Sequence, residues 1–569
     1  MLKKKAVGYL CLSMAMTLLL CACGKSTTVG TGTNLKTSEV LAPIKPEKLP
    51  QIAESREDTL IIGFTAPEGK FNPIYTSSVD DSYVTGLVFE GLMTNDIQGK
   101  PISKVAKKWK ISKDNKTYTF TLNKGIKYSN GKELTAKDVE FTYTAICDPS
   151  YDGVETDAVD KLVGYKEYNK GDAKTVTGIK VIDNYTISFT LTNVKAPALS
   201  SDFSYGIMCK SYYTFEKGNI DRLKDLFLKP MGSGPYILKE YMAGQEADFD
   251  KNPSYWKGEA KINKVILKVT NSQNNIQTLS AGEVDIDRIA AEPENIQLIK
   301  STGFLEMQLY PDNKYGYIGL NLKDDKLKDV KVRKALNYGL NRKSFIDARY
   351  KGYAEVCNAP MSQASWAYTD DINKYEFNPK KANQLLEEAG WIKKDDGFRY
   401  KDGKKFEIHW RTSRGSKYVE VLIPIVKANW KAIGIDVTVE LMEFNTLCKK
   451  VYEEHKFEMY NMSWSLSIDP DPSRIFSAKQ AELGGYNPGS WINVKSEKLM
   501  VDALKTTNMK KRKKLYRAWL KLFTEEAPYV LLDQSKIMWV LSSRVKGISF
   551  SPYIDFTYQI AEAELIQPK

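Results

Sequence analysis

The chain has 569 residues and a formal net charge of +13, with two histidines and seven cysteines. Lysines and acidic residues are interspersed almost everywhere, which describes a solvated surface rather than a nucleic-acid footprint, and nucleic acid is not expected as a partner. No Gly-x-Ser-x-Gly elbow, His-Glu-x-x-His motif or phosphate loop is found, and His409 and His455 lie in different segments, so no catalytic residue, metal site or cofactor is read from the chain.

In chain order, Lys3, Lys4 and Lys5 open a segment of fifteen mostly apolar residues, Ala6 to Leu20, that closes on Leu20-Cys21-Ala22-Cys23-Gly24. A basic start, a short apolar core and small residues before the end describe a secretory signal. A cysteine with Leu at −3 and Ala at −1 resembles the bacterial lipobox, which implies cleavage of residues 1–22 and diacylation (a palmitate-type anchor) of Cys23. The apolar run is too short to span a bilayer, which takes about 20 residues, and no later run reaches that length. The expected place of the protein is therefore extracytoplasmic and lipid-anchored to a bacterial cell membrane. Residues 23–57 are rich in Ser, Thr, Gly and Pro and are expected to form a flexible tether. The remaining ~510 residues exceed a single core and imply two or three lobes.

From Asp58 onward, strand-like and helix-like segments alternate. Asp58 to Phe64 reads as a buried strand, and Thr117 to Leu122 alternates polar and apolar residues as a half-exposed strand does. Asn130-Gly131 marks a tight turn, and Thr135 with Asp138 opens a helix. Val332, Ala335, Leu336, Gly339 and Leu340 fall on one helical face. Asn378-Pro379 starts another helix that Gly390 ends. A third, Val419 to Ile433, stops at Gly434 and leads into a strand from Ile435. Helix, glycine, strand is α/β layering. The one dense basic run, Lys510 to Lys514, precedes a helix face of Leu515, Tyr516, Trp519, Leu520 and Phe523. The cysteines beyond the signal, Cys147, Cys209, Cys357 and Cys448, show no pairing pattern, and disulfides and free thiols both stay open.

Several stretches, in order, carry a family resemblance: Trp109 to Ser112, Asn130 to Val139, Gly232-Ser233-Gly234-Pro235-Tyr236, Lys251 to Trp256, Ala281 to Asp285, Asp329 to Leu336, and Asp469-Pro470-Asp471-Pro472. With these the chain resembles the extracytoplasmic solute-binding proteins of oligopeptide and dipeptide ABC importers, solute-binding protein family 5, from about Asp58 to its end. The resemblance implies an α/β, two-lobed periplasmic-binding-protein-like fold with an extra subdomain in the first lobe. Lobe I would comprise residues 58–96, 205–315 and 524–569, its subdomain 97–204, and lobe II 316–523, with a two-segment hinge near 310–316 and 524–530. It also implies a monomer that captures oligopeptides and delivers them to permease subunits with a cytoplasmic ATPase.

Peptide importers hold backbone and chain ends, and an α-ammonium ion asks for a carboxylate in a partly desolvated cleft. In the family an aspartate follows a tryptophan shortly before an Asp-Pro pair. Here, counting from Trp464, that aspartate falls on Ser467, and counting back from Asp471-Pro472 it falls on Ile468. The loop is thus one residue longer, and Asp469 is the candidate amino-end clamp. The alternative makes Asp469 and Asp471 turn and cap residues ahead of Ser473 to Phe476, leaving an end-blocked peptide, a longer peptide bound without its end, or a non-peptide as ligand. Tyr75, Tyr83, Trp464, Tyr486 and Trp491 stand in cleft-bordering segments of the family and offer flat contact area. Arg411 and Arg414, following a strand from Phe406 to Trp410, are candidates to meet a carboxylate. An oligosaccharide or metal chelate as solute, and a signalling-peptide receptor, are the other readings.

Overall fold

The strand-like runs from Asp58 to Phe64 and after Gly434 become strands of two large sheets, and Thr117–Leu122 joins a smaller third. A computed structural model describes residues 38–567, so the signal segment and Cys23 lie outside the described residues. The first sheet has nine strands. Eight run in the order Glu39–Leu41, Leu305–Pro311, Asp533–Ser542, Ile286–Ile289, Thr59–Phe64, Lys264–Val269, Glu246–Lys251 and Tyr236–Met242, and Ala354–Val356 pairs with the start of Asp533–Ser542. The second sheet orders Asp436–Met442, Glu407–Ser413, Met459–Ser465, Lys314–Leu320 and Tyr529–Leu531. A four-stranded antiparallel sheet, Ala106–Ile111, Thr117–Leu122, Thr186–Thr190 and Ile179–Asp183, builds the subdomain. No helix among the described residues is long and apolar enough to cross a membrane.

Local signals translate directly. In Thr117–Leu122, Tyr118, Phe120 and Leu122 are buried while the three threonines are half-exposed. Thr135 and Asp138 form a capping box on the helix Ala136–Cys147. Asn378 accepts the Lys381 N–H at the start of Pro379–Glu388, and Gly390 follows it with φ +85°. The Gly-Ser-Gly-Pro-Tyr and Asn-Pro-Ser-Tyr-Trp stretches meet at the edge of the first sheet. There the Asn252 Nδ2 donates to Gly234 O at 2.9 Å, and Tyr255 and Trp256 donate to the buried Glu90 carboxylate at 2.7 and 2.5 Å.

The described part of the stretch expected to be a flexible tether is packed on the first sheet. Residues 39–57 include the edge strand Glu39–Leu41, which pairs with Leu305–Pro311, and Leu49 and Ala53, which pack under the first sheet. Arg56 holds them there: its guanidinium reaches the Gly282 carbonyl at 2.7 Å and the buried Asp285 carboxylate at 3.1 Å. Arg544 flanks the same carboxylate at 3.6 Å. Composition undercounts this segment because a few apolar contacts and one buried ion pair suffice to order it.

The two sheets are joined by two adjacent crossings, between Pro311 and Lys314 and between Leu531 and Asp533. The return crossing lies just beyond 524–530, because Tyr529–Leu531 still pairs with Lys314–Leu320 in the second sheet. The crossings bond to each other: Asp312 N donates to Ser535 O at 2.8 Å, Leu532 N to Gly316 O at 2.9 Å, and Gln534 Nε2 to the Asp312 and Lys314 carbonyls at 3.0 and 3.2 Å. Asp533 is buried between them and accepts the Tyr350 and Tyr418 hydroxyls at 2.9 and 2.5 Å.

Gly316 makes room for that carboxylate: a Cβ there would lie 2.3 Å from Asp533 Oδ1 and 2.4 Å from the Tyr418 hydroxyl oxygen. Gly316→Ala should therefore cost ~1–3 kcal/mol by overpacking, measured by urea unfolding. A second prediction concerns pH. Burial pushes the Asp287 carboxyl up to about 6 against the opposing bonds from Thr270 and the Arg288 N–H. A raised folded-state value means that the stability from its proton is complete below the ordinary 3.8 and is lost as pH rises through about 6. Asp287→Asn should be more stable than the parent at neutral pH by up to ~3 kcal/mol and no more stable near pH 4.

Candidate functional site

The strand Met459–Ser465 runs antiparallel to Lys314–Leu320, which sets Trp464 opposite Tyr315 and Ser465 opposite Lys314 at the outgoing crossing. The loop beyond it is stitched to the crossing, since Leu466 N donates to Asn313 O at 2.8 Å and Asn313 Nδ2 to Leu466 O at 2.7 Å. Ser467 Oγ then bonds Asp469 O at 2.8 Å, turning the chain inward.

Asp469 is 7% exposed and does not present a free carboxylate. Arg512, 2% exposed, grips it with two parallel bonds, Nη1 to Oδ2 at 2.8 Å and Nη2 to Oδ1 at 2.7 Å. The Tyr516 hydroxyl lies 3.4 Å from Oδ1 and accepts a 2.7 Å bond from Arg512 Nη2. Burial pulls the guanidinium down in pKa, and the Asp469 charge with its hydrogen bonds outweighs that and raises it. Asp471 is engaged as well: its carboxylate accepts the Ser473 N–H at 3.0 Å and hydroxyl at 2.6 Å, closing a turn into the short helix Ser473–Phe476. Burial pushes its pKa up and the Ser473 bonds oppose this.

This loop forms one wall of a small pocket at the hinge, with a cavity volume of about 20 Å³, room for about one water molecule, and a mouth open to solvent. Asn313 of the crossing, Ser362 and Ser365 of the second lobe, and Tyr553 of the C-terminal segment form the other polar surface. Tyr553 sits beside the two serines; burial pushes its phenol up to about 12 while their hydrogen bonds hold it back. Met361, Leu466 and Phe476 supply apolar lining. Among the described residues, Asp469 and Asp471 are the only carboxylates in the wall, and no lysine, arginine or histidine lines it.

The lobes touch around this cavity. Thr507 Oγ1 donates to Asn115 Oδ1 of the subdomain at 2.7 Å, and Trp366 N donates to Gln98 O at 3.2 Å. Arg349 also forks onto the Glu292 carboxylate at 3.0–3.1 Å and Lys351 reaches Glu294 at 3.0 Å, so several direct polar links join the lobes.

Of the candidate ligand-binding residues, only Asp469 and Asp471 line the cavity. Trp464 and Tyr486 meet edge-on, centroids 5.3 Å apart, with Tyr486 about half exposed, and Trp464 lies parallel to Tyr317 at 6.4 Å. Trp491 is buried against Phe476, Trp519 and Phe523 and acts as core. Tyr75 packs on Tyr151 and Phe227, and Tyr83 on Trp539 and Phe556, both inside the first lobe. Arg411 lies on the strand Glu407–Ser413 rather than after it and pairs with Glu440 at 2.8 Å. Arg414 is exposed on the loop beyond. The four cysteines among the described residues are free thiols.

Arg512 belongs to the dense basic run, yet it faces inward. Extending the periodicity of Tyr516, Trp519 and Phe523 back one turn places position 512 on the buried stripe of the helix Met509–Glu526, a signal that was available in the sequence. The segment around Ser362 and Ser365, and Tyr553, carry no comparable pattern.

Removing one partner of a buried, doubly bonded ion pair leaves an uncompensated charge. Arg512→Ala should cost ~3–5 kcal/mol, and the double change Asp469→Leu with Arg512→Met should recover most of that loss, as read by chemical denaturation.

Comparison with known proteins is consistent across sequence and structure. The model for bacterial extracellular solute-binding proteins, family 5 Middle, matches residues 100–485. The oligopeptide-binding protein AppA of Bacillus subtilis (strain 168) is 29% identical over 505 residues, covering 87% of this chain and 90% of that relative. The solved structure of the Bacillus subtilis AppA in complex with a nonapeptide superposes with a TM-score of 0.62 at 28% identity, over 91% of this chain and 100% of that one. HbpA2 from Haemophilus parasuis superposes with a TM-score of 0.75 at 25% identity, over 89% and 100%.

Proposed function

The chain belongs to the bacterial extracellular solute-binding proteins of family 5, and from that membership we propose that it captures oligopeptides outside the cell and hands them to an ABC permease driven by a cytoplasmic ATPase. The observation that carries this reading is the pair of large sheets joined by two short crossings, with a small pocket lined from the crossing and from both lobes marking where they meet. A ligand seated there ties the lobes together, so binding and closure become one event. The kinship with a relative named for oligopeptide binding and solved with a nonapeptide supports the choice of solute.

Opening would part the Thr507–Asn115 and Trp366–Gln98 bonds on the subdomain side. It is confined to crossings only a few residues long that stay bonded to each other, which suits hinge motion of two rigid bodies. Trp464 and the exposed ring of Tyr486 offer contact area near the cavity loop without demanding one side chain. Capture and release require no covalent step and no cofactor. The protein works as a monomer held to the membrane by lipid on Cys23.

Mass spectrometry of solutes released by denaturing gently purified protein tests the reading. A ladder of short peptides is expected; a homogeneous sugar or a metal chelate would overturn it. Cys23→Ser should abolish fatty-acid labelling and release the protein from the membrane fraction. Thr507→Ala should weaken peptide binding about two- to fivefold by removing one closed-state hydrogen bond, as read by fluorescence titration.

A further inference from the structure

We infer that the hinge cavity receives an uncharged part of its ligand, so that a peptide's free α-ammonium is not read there and a blocked amino end, or an internal stretch of chain, is accepted equally well. The inference rests on the peptide reading above and names the kind of peptide.

The argument starts from the charges in the wall. Two carboxylates line it, and both are already matched. The Asp469 oxygens each take a bond from Arg512, with the Tyr516 hydroxyl beside one of them. The pair as a whole is neutral. An ammonium ion entering here would have to displace a guanidinium that is 2% exposed and has no solvent to move into. Asp471 spends one oxygen on the Ser473 N–H and the other on its hydroxyl, and giving these up would undo the turn that shapes the wall.

What remains is neutral. Ser467 Oγ and Asn313 Nδ2 are spent on the loop's own carbonyls, but the hydroxyls of Ser362, Ser365 and Tyr553 and the Asn313 Oδ1 keep capacity for amide groups, and Leu466 and Phe476 accept apolar surface. An ammonium taken from water into such a wall loses its hydration without gaining a counter-charge, whereas an acylated nitrogen brings one N–H and one carbonyl that this lining can satisfy. The same physics disfavours a free carboxylate, since no cation lines the cavity.

The test uses the full chain from Lys25 and two probes: a random-sequence pentapeptide pool with free amino ends, and the same pool N-acetylated. Calorimetric titration should give dissociation constants within about threefold of each other, or tighter binding of the acetylated pool. A loss of tenfold or more on acetylation would overturn the inference while leaving the peptide reading standing. Binding of neither pool would overturn the peptide reading and this inference with it. Arg512→Gln, where it folds, exposes the Asp469 carboxylate and should shift preference at least tenfold toward free amino ends; an unchanged preference would contradict the role given to the pair. The wild-type comparison decides the matter if that variant does not fold.

Discussion

The buried pair of Asp469 and Arg512 is the interaction on which the site depends. Taking two charges out of water costs several kcal/mol each, and the fork geometry, with a bond to each carboxylate oxygen, is what makes burial tolerable. It joins the helix Met509–Glu526 to the loop that follows the strand Met459–Ser465, and so fixes the wall that the loop presents at the hinge. The pair also cancels the charge that the wall would otherwise carry. One contact thus sets the geometry of this wall and, on the inference above, the ligand chemistry it favours.

A second constraint concerns the crossings. Two strands that each continue from one sheet toward the other, bonded side by side, restrict relative motion of the lobes to a narrow set of directions. Asp533 with the Tyr350 and Tyr418 hydroxyls, and Gln534 with the Asp312 and Lys314 carbonyls, load this junction with buried polar bonds. Such groups are costly to leave unpaired, so the junction holds its own geometry, while the lobe surfaces meet through separate contacts such as the Arg349–Glu292 ion pair.

Much of the fold was legible because its local signals agree with its tertiary ones. Alternation at Thr117–Leu122, the Thr135–Asp138 box and the Asn378-Pro379 to Gly390 helix each specify an element without help from distant residues. The site was less legible, for physical reasons. An aspartate in a loop reads the same whether it faces a ligand or an arginine 43 positions away. Arg512 was hidden among lysines because charge suggests a surface, although its spacing from Tyr516 places it on the core face. The aromatics divided by burial rather than by type: Trp491, Tyr75 and Tyr83 fill cores, while Trp464 and Tyr486 come together with one ring left open. The segment from Leu49 to Arg56 misled because composition cannot register Asp285 waiting across the fold.

The most direct measurement is a crystal structure of the protein carrying the solute it retains through gentle purification. The account predicts a peptide between the lobes, with a neutral part of its chain against Ser362, Ser365 and Tyr553 and Arg512 still gripping Asp469. A ligand ammonium bonded to Asp469 with Arg512 turned away would contradict it.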